Sequence, residues 1–298
     1  MTSAPSPSPV VIIDGMRVSS EEARVSVFDR GFLFGDAVFE VLRAYGGSAF
    51  AKREHLERLT RSLEGMRIVP SFELGSLGEE IDRALAALAL PDAYVRVMVS
   101  RGAGALHMDP RRASGPTTRV VIAAPLLPLP ASLYEGVAIA TVRAERPTDH
   151  TSARGAKISA YVSNLLALRE AQERGAYEAA FLAADGTISE GSSSNLFVLR
   201  GRVLSTPPLE SGILGGITRA WVIEDARAEG LELRERLLVS RDFEEADEAF
   251  LTSSLREVVP IIGIDGAAVG GGRAGAVSRR LHARYRARAE RWSTLAGR

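Results

Sequence analysis

The 298-residue chain contains no cysteine, and only two of its 37 basic residues, Lys52 and Lys157, are lysine. Without cysteine there can be no disulfide, no zinc–thiolate site and no thiol nucleophile, which fits a reducing compartment and makes a cytoplasmic location the expectation. The four histidines lie far apart with no metal-ligand spacing, so no metal site is expected. Charge of one sign is also lacking: 37 acidic residues balance the 37 basic ones and the isoelectric point is near 7. That balance removes the global basic field by which a protein holds nucleic acid or an anionic membrane. No apolar run approaches the length needed to span a bilayer. Residues 1–9 lack the basic-then-apolar layout of a signal peptide and read as a disordered lead-in.

The scarcity of lysine is the most informative of these gaps. Where guanidinium supplies nearly all the positive charge, a retained lysine points to work that arginine cannot do. Arginine cannot lose its proton and attack a carbonyl, whereas a lysine amine forms a Schiff base once its pKa falls. Surface charge is the plainer reading of either lysine, and the local sequence separates them.

Strands interleave with helices throughout, which predicts an α+β (mixed α/β) fold in two domains. Val10–Ile13 and Met16–Val18 read as a hairpin about Asp14-Gly15, and Arg53–Ile68 and Ser76–Leu90 as helices. Tyr94–Ser100 alternates as a strand, and Arg119–Ala124 is another. The proline-rich stretch 125–132 has no period and is the expected linker between a small domain, 10–124, and a larger one, 133–298. In the larger domain, Gly136–Val142, Glu178–Ala183, Thr187–Ser189, Asn195–Leu199, Val203–Ser205, Ala249–Thr252 and Ile261–Ile264 read as strands. Ser159–Arg174, Thr218–Glu229 and the arginine-rich Ala276–Ser293 read as helices. The last has the charge of a solvated face. Gly270-Gly-Gly272 lacks the preceding strand of a dinucleotide-binding turn.

Three segments carry chemistry. Lys157 lies among small residues in Arg154-Gly-Ala-Lys-Ile-Ser-Ala-Tyr161, between an expected strand end and helix start, and Tyr161, four residues on, is placed to share its helical face. Glu190 falls in Ile188-Ser-Glu-Gly-Ser-Ser-Ser-Asn195, a glycine-hinged break between strands, where an exposed loop glutamate is the ordinary reading. Gly215-Gly-Ile-Thr218 opens a helix, so its N–H groups and the threonine hydroxyl form an anion site suited to phosphate. An amine, an acid and a phosphate nest together match the needs of pyridoxal phosphate: a lysine for its aldehyde, an acid for its ring nitrogen, a cup for its phosphate.

The order and wording of these segments resemble the fold-type IV pyridoxal-phosphate enzymes, the class IV aminotransferases. That group includes branched-chain aminotransferases, D-amino acid transaminases and aminodeoxychorismate lyases. The resemblance runs from about Val11 to Gly266 and rests on Phe34-Gly-Asp-Ala-Val-Phe-Glu40, Lys157 with Tyr161, Ser189–Phe197, Ile213–Arg219 and Phe250-Leu-Thr-Ser-Ser254. It implies a two-domain enzyme with the cofactor at the domain interface, amino acid and 2-oxo acid substrates taken in ping-pong order, and a homodimer. Lys157 would carry the cofactor aldehyde as a Schiff base and, once displaced by substrate, move the proton at Cα. Glu190 would keep the pyridine nitrogen protonated. Arg53, Ile217, Thr218 and Ser254 would hold the phosphate, with Tyr161 near the phenolate oxygen.

Within the family, Ser189-Glu-Gly-Ser-Ser-Ser-Asn195 and Asp29-Arg-Gly-Phe-Leu-Phe-Gly-Asp36 resemble the D-amino acid transaminases, toward which the sequence leans. That subfamily traps the substrate carboxylate with an arginine and a histidine; here Leu106 stands near the arginine position, and His107 is a remnant at most. Tyr94-Val-Arg96 and Arg43 instead resemble branched-chain aminotransferases, although Phe34 stands where those often have tyrosine. Arg43 and Arg96 lie in apolar, strand-like stretches where an unpaired guanidinium would be costly, so each needs a carboxylate, from substrate or from Glu40 or another acid. Phe34, Arg43, Tyr94, Arg96, His107 and Leu255 form the expected substrate set. The lyase reading is less favoured, because lyases of the family carry lysine near the position of Arg96.

Overall fold

Alternation of period two decides the first half of the chain. Ala93, Val95, Val97 and Val99 are buried while Tyr94, Arg96 and Met98 between them are half-buried, because successive side chains of a strand point to opposite faces. The computed structural model describes residues 7–144 and 151–296. Residues 1–6 of the expected lead-in lie outside the described residues. The architecture is mixed α/β, with seven helices and two sheets among the described residues, divided into two compact units.

The first unit holds six strands: β1 (Val10–Ile13), β2 (Met16–Val18), β3 (Ala37–Tyr45), β4 (Ser48–Ala49), β5 (Ala93–Ser100) and β6 (Arg119–Pro125). They form one antiparallel sheet in the order β2-β1-β6-β5-β3-β4. Its helices are α1 (Arg30–Phe34), α2 (Lys52–Met66) and α3 (Ser76–Leu88). Val38, Leu42, Val95 and Val97 on one sheet face pack with Leu59 and Leu63 of α2 and Leu77, Ile81 and Leu85 of α3. The α3 helix stops two residues before the expected end because Ala89 turns into the left-handed region.

The second unit contains β7 (Val137–Arg143), β8 (Glu178–Leu182), β9 (Thr187–Gly191), β10 (Asn195–Arg200), β11 (Val203–Thr206), β12 (Glu232–Glu235), β13 (Leu238–Val239), β14 (Glu248–Ser253), β15 (Glu257–Ile264) and β16 (Ala267–Ala268). They make a ten-stranded mixed sheet, β12-β11-β10-β14-β15-β7-β8-β9-β13, with β16 on β15; the β7–β8, β7–β15 and β11–β12 pairs are parallel. Helices α4 (Val162–Glu173), α5 (Ile217–Ala228), α6 (Ser240–Glu244) and α7 (Ala276–Ala296) complete the fold.

The division differs from the sequence expectation in two places. The first unit runs to Leu127 and also takes Ala156–Ala160 and Ala289–Arg298, both of which the sequence reading assigned to the larger domain. The reason for the first is backbone pairing: Phe39 N–H donates to Lys157 O at 3.0 Å, Ser159 N–H donates to Ala37 O at 2.8 Å, and Ile158 bridges Val38. Residues 157–159 thus lie along the free edge of β3, a long-range pairing that local sequence does not announce.

Candidate active site

In the first unit the edge segment sets the direction of the candidate nucleophile. Ile158 packs into the core beneath α2 and α3, so its neighbour Lys157 points to the opposite face of the sheet. There the Lys157 amine lies 4.4 Å from the centroid of the Phe39 ring, and the Arg96 guanidinium lies 4.1 Å from the same ring. The register aligns Phe39 with Met98, Val41 with Arg96 and Arg43 with Tyr94, with Ile122 and Ala124 of β6 beyond. This sheet face is largely apolar and carries cations at Lys157, Arg96 and Arg43. Among the described residues no carboxylate lies within salt-bridge reach of Arg96. Arg43 differs: Asp92 lies 3.5 Å away and the Tyr45 ring 4.5 Å below it. Asp92 is an acid beside it, whereas Glu40 lies on the opposite sheet face.

Glu40 points the other way, toward α2. It is fully buried and receives Arg58 Nε at 2.7 Å, Arg58 Nη2 at 2.6 Å and His55 Nδ1 at 2.8 Å. Burial alone would raise its pKa, but the Arg58 charge and the bonds from Arg58 and His55 prevail and hold it at about 2. Burial is also the main reason that the His55 pKa is lowered, with Arg58 and Lys157 adding to it and the bond to Glu40 opposing. One turn after Arg58, Ser62 Oγ accepts the Lys157 backbone N–H at 3.0 Å, which ties the lysine segment to α2.

Arg53, expected to hold phosphate, is a surface residue: its side chain is 77 % exposed and engaged with Glu54 and Glu57. The arginine that α2 buries is Arg58. A signal for it was available, because His55, Arg58, Leu59, Ser62 and Leu63 share one helical stripe and Arg53 lies off it. His107 is exposed, its Nδ1 accepting the Asp109 N–H, and Leu106 is exposed as well. Phe34 is partly exposed at the end of α1, under the Arg30 guanidinium.

In the second unit Glu190 is not in a break between strands but inside β9, and it is only 9 % exposed. Ala180 pairs with Gly191 and Leu182 with Ile188, so β9 holds one residue more than β8 over this stretch, a bulge at Ser189–Glu190. Bulges re-aim side chains. The Glu190 carboxylate accepts the Leu214 N–H at 2.9 Å and meets Asn195 Nδ2 at 3.5 Å, while Asn195 Nδ2 also donates to Leu214 O. Gly216 is required beside it, since a Cβ there would fall 2.0 Å from Asn195 Oδ1. The α5 helix begins directly after Gly216 with no side-chain cap, leaving first-turn N–H groups at Ile217 and Thr218 for a ligand. Tyr161 is the residue before α4, and that helix starts five residues after Lys157, so the two do not share a helical face.

The serine run has a structural role. Glu178, fully buried, accepts hydroxyls from Ser192, Ser193 (3.1 Å) and Ser194 (3.4 Å) and the Arg256 guanidinium at 2.7 Å. Arg256 also donates to Ser193 O, Ser193 Oγ and Ser253 Oγ. This network joins the loop after Glu190 to the turn that carries Ser254 and Leu255. The serines that suggested D-amino acids therefore satisfy an internal carboxylate.

The residues fit pyridoxal phosphate on these observations: a directed amine, a buried carboxylate already oriented by an N–H and an amide, and an uncapped helix start with a threonine. Comparison with known proteins agrees. The family model described as amino-transferase class IV matches residues 37–264. The chain belongs to the class IV aminotransferases. As a member it is a pyridoxal-phosphate-dependent transaminase. It is 34 % identical over 278 residues to the branched-chain-amino-acid aminotransferase of Salmonella typhimurium, covering 90 % of this chain and 89 % of that one. It is 33 % identical over 258 residues to the aminodeoxychorismate lyase of Bacillus subtilis, covering 86 % and 87 %. The crystal structure of the Escherichia coli branched-chain amino acid aminotransferase superposes with a TM-score of 0.87 at 32 % identity, covering 93 % of each chain. Among the described residues this class IV aminotransferase has no cluster fit to hold a metal ion and no helix long and apolar enough to cross a membrane.

Proposed function

We propose that the chain is a branched-chain L-amino acid aminotransferase, which replaces the D-amino acid reading. The observation that carries this is the Phe39 ring with the Lys157 amine and the Arg96 guanidinium both stacked on it. Arg96 stands in the Tyr94-Val-Arg96 segment that resembles the branched-chain enzymes, and relatives named as such cover most of the chain. Around it, Phe39, Val41, Met98 and Ile122 offer an apolar floor for a branched side chain. A guanidinium over a ring adds to such a floor and still pairs bidentately with a carboxylate. One site can then take leucine in one half-reaction and glutamate in the other.

When bound, pyridoxal phosphate supplies the electron sink that makes the substrate Cα–H acidic. Lys157 would hold the cofactor aldehyde and would take and return the proton at the substrate Cα. Glu190, oriented by Leu214 N–H and Asn195, holds a proton at the pyridine nitrogen. Ile217 and Thr218 hold the phosphate with Ser254, and we assign the arginine of that cup to Arg58 in place of Arg53, because α2 buries it one turn from the residue that anchors Lys157. Tyr161 supports the phenolate oxygen, and Leu255 with Tyr94 borders the substrate. The two-domain reading, 10–124 and 133–298, is supported by the division into two compact units, with the first extended to Leu127. A cytoplasmic location is supported by the absence of cysteine. A homodimer is supported by an apolar patch in the first unit: Arg30 donates to His107 O and Met108 O, and around this tie Val27, Phe28, Phe32, Leu106 and Met108 are exposed.

The test is a half-reaction on cofactor-loaded protein, following the visible absorbance with L-leucine, L-glutamate, D-alanine and D-glutamate separately. Bleaching by the two L-amino acids is the expected result. Bleaching by D-alanine, with L-leucine inert, would overturn the reading.

A further inference from the structure

The phosphate cup has a neighbour that the reaction chemistry does not require. On α5, Thr218 and Val222 lie four residues apart on one stripe; on α7, Leu281 and Tyr285 do the same. Val222 and Leu281 share an apolar cluster with Phe197, Phe250 and Val258. The Tyr285 phenol reaches Thr218 Oγ1 at 3.3 Å. Both residues are almost wholly buried, Thr218 at 2 % and Tyr285 at 1 % exposure. A phenylalanine would fill the same shape without bringing a polar atom into an apolar cluster, where a hydroxyl costs free energy unless it is bonded. The hydroxyl of Tyr285 therefore has a use, and one atom it reaches is a threonine hydroxyl at an uncapped helix start.

We propose that Tyr285 is a positioning residue for the phosphate cup: its phenol donates to Thr218 Oγ1 and so leaves the threonine proton directed to an anion. A threonine hydroxyl has one proton and two acceptor sites. With Tyr285 donating, the single Thr218 proton is not drawn back to the phenol, and a chain of donors runs from the core of α7 to the start of α5. Each bond in such a chain polarises the next. The proposal rests on the reading of Thr218 as a phosphate ligand given above.

The experiment compares wild type, Y285F, T218V and the double variant as purified holoenzymes. The dissociation constant of pyridoxal phosphate is read from absorbance on dilution, and the environment of the bound phosphate from its phosphorus NMR shift. T218V is expected to weaken the cofactor roughly tenfold, and Y285F about fivefold, in line with the loss of one hydrogen bond near a charged group. Y285F should also move the phosphorus resonance. The double variant should be no weaker than T218V alone, because Tyr285 acts through Thr218. If T218V binds the cofactor as wild type does, the reading of the cup is wrong and the proposal falls with it. If T218V weakens binding but Y285F does not, the cup stands and the role of Tyr285 is overturned. If the Y285F effect survives undiminished in the T218V background, or appears only as lower thermal stability with an unchanged dissociation constant, Tyr285 is structural and the proposal is equally overturned.

Discussion

Glu40 of the first unit and Glu178 of the second are both completely buried, and they are satisfied in different ways. Glu40 of the first unit is answered by one helix, with His55 and Arg58 a single turn apart on α2. Glu178 of the second is answered by a loop and a turn that are distant in sequence, Ser192–Ser194 and Arg256. The first arrangement staples a helix to a sheet face and leaves the other face regular, so that Arg96 is aimed by alternation and Lys157 by alternation together with its backbone bond to Ser62. The second ties irregular pieces together, and the residues that it helps to place sit at a bulge, a turn and a helix start. In the first unit the buried carboxylate joins a helix to a regular sheet, whereas Glu178 joins a loop to a turn.

The largest effect should come from the regular side. Lys157→Ala removes the amine but leaves the edge strand, whose bonds are made by backbone. Turnover should fall by roughly 10³-fold or more, with the far-ultraviolet circular dichroism unchanged; residual activity near that of wild type would break the contrast between aim and scaffold.

The next effect tests the staple. The Glu40 carboxyl has its folded pKa held at about 2 against an ordinary value of 4.5. A depressed carboxylate contributes stability that is complete above its unfolded pKa and is lost as pH falls through the folded one. About 3 kcal/mol should therefore disappear between pH 4.5 and 2. The lowered His55 pKa acts in the same direction, since a buried neutral histidine resists protonation. Equilibrium unfolding across that range should show the loss in wild type and a flatter profile in E40Q. Equal profiles would show that the staple does not govern acid stability.

The smallest effect concerns selectivity. Arg96→Met keeps the stack on Phe39 but removes the edge that pairs with a carboxylate. The KM for L-glutamate should rise about tenfold, near 1.4 kcal/mol, while that for L-leucine changes little. Parallel rises in both would assign Arg96 to packing.

Much of this was legible in the sequence, for reasons specific to each element. Strands such as Ala93–Ser100 and helices such as α3 declare themselves by period, and the rarity of lysine pointed to Lys52 and Lys157, between which the local sequence chose. Glu190 was found as a residue but misplaced in a loop, because a bulge depends on a partner strand that the local sequence does not show. Arg53 proves exposed and Arg58 buried, a difference that the helical stripe carries but that a run of charged residues obscures. The serines at 192–194 misled about substrate for the converse reason: a polar run looks functional until the buried carboxylate it serves, Glu178, is in view. The pairing of residues 157–159 with β3 had no local signal at all.

That pairing means that the polypeptide leaves its first unit after Leu127 and comes back for only five residues, Ala156–Ala160, before leaving again. A nascent chain that has emerged only to Leu127 has neither the strand that closes the edge of β3 nor the amine. The reactive group is thus withheld until β7 has been synthesised, and the open edge of β3 stays available to it through that interval. Closure of this loop, rather than formation of the sheet itself, is the step that would bring the lysine proposed as nucleophile into place.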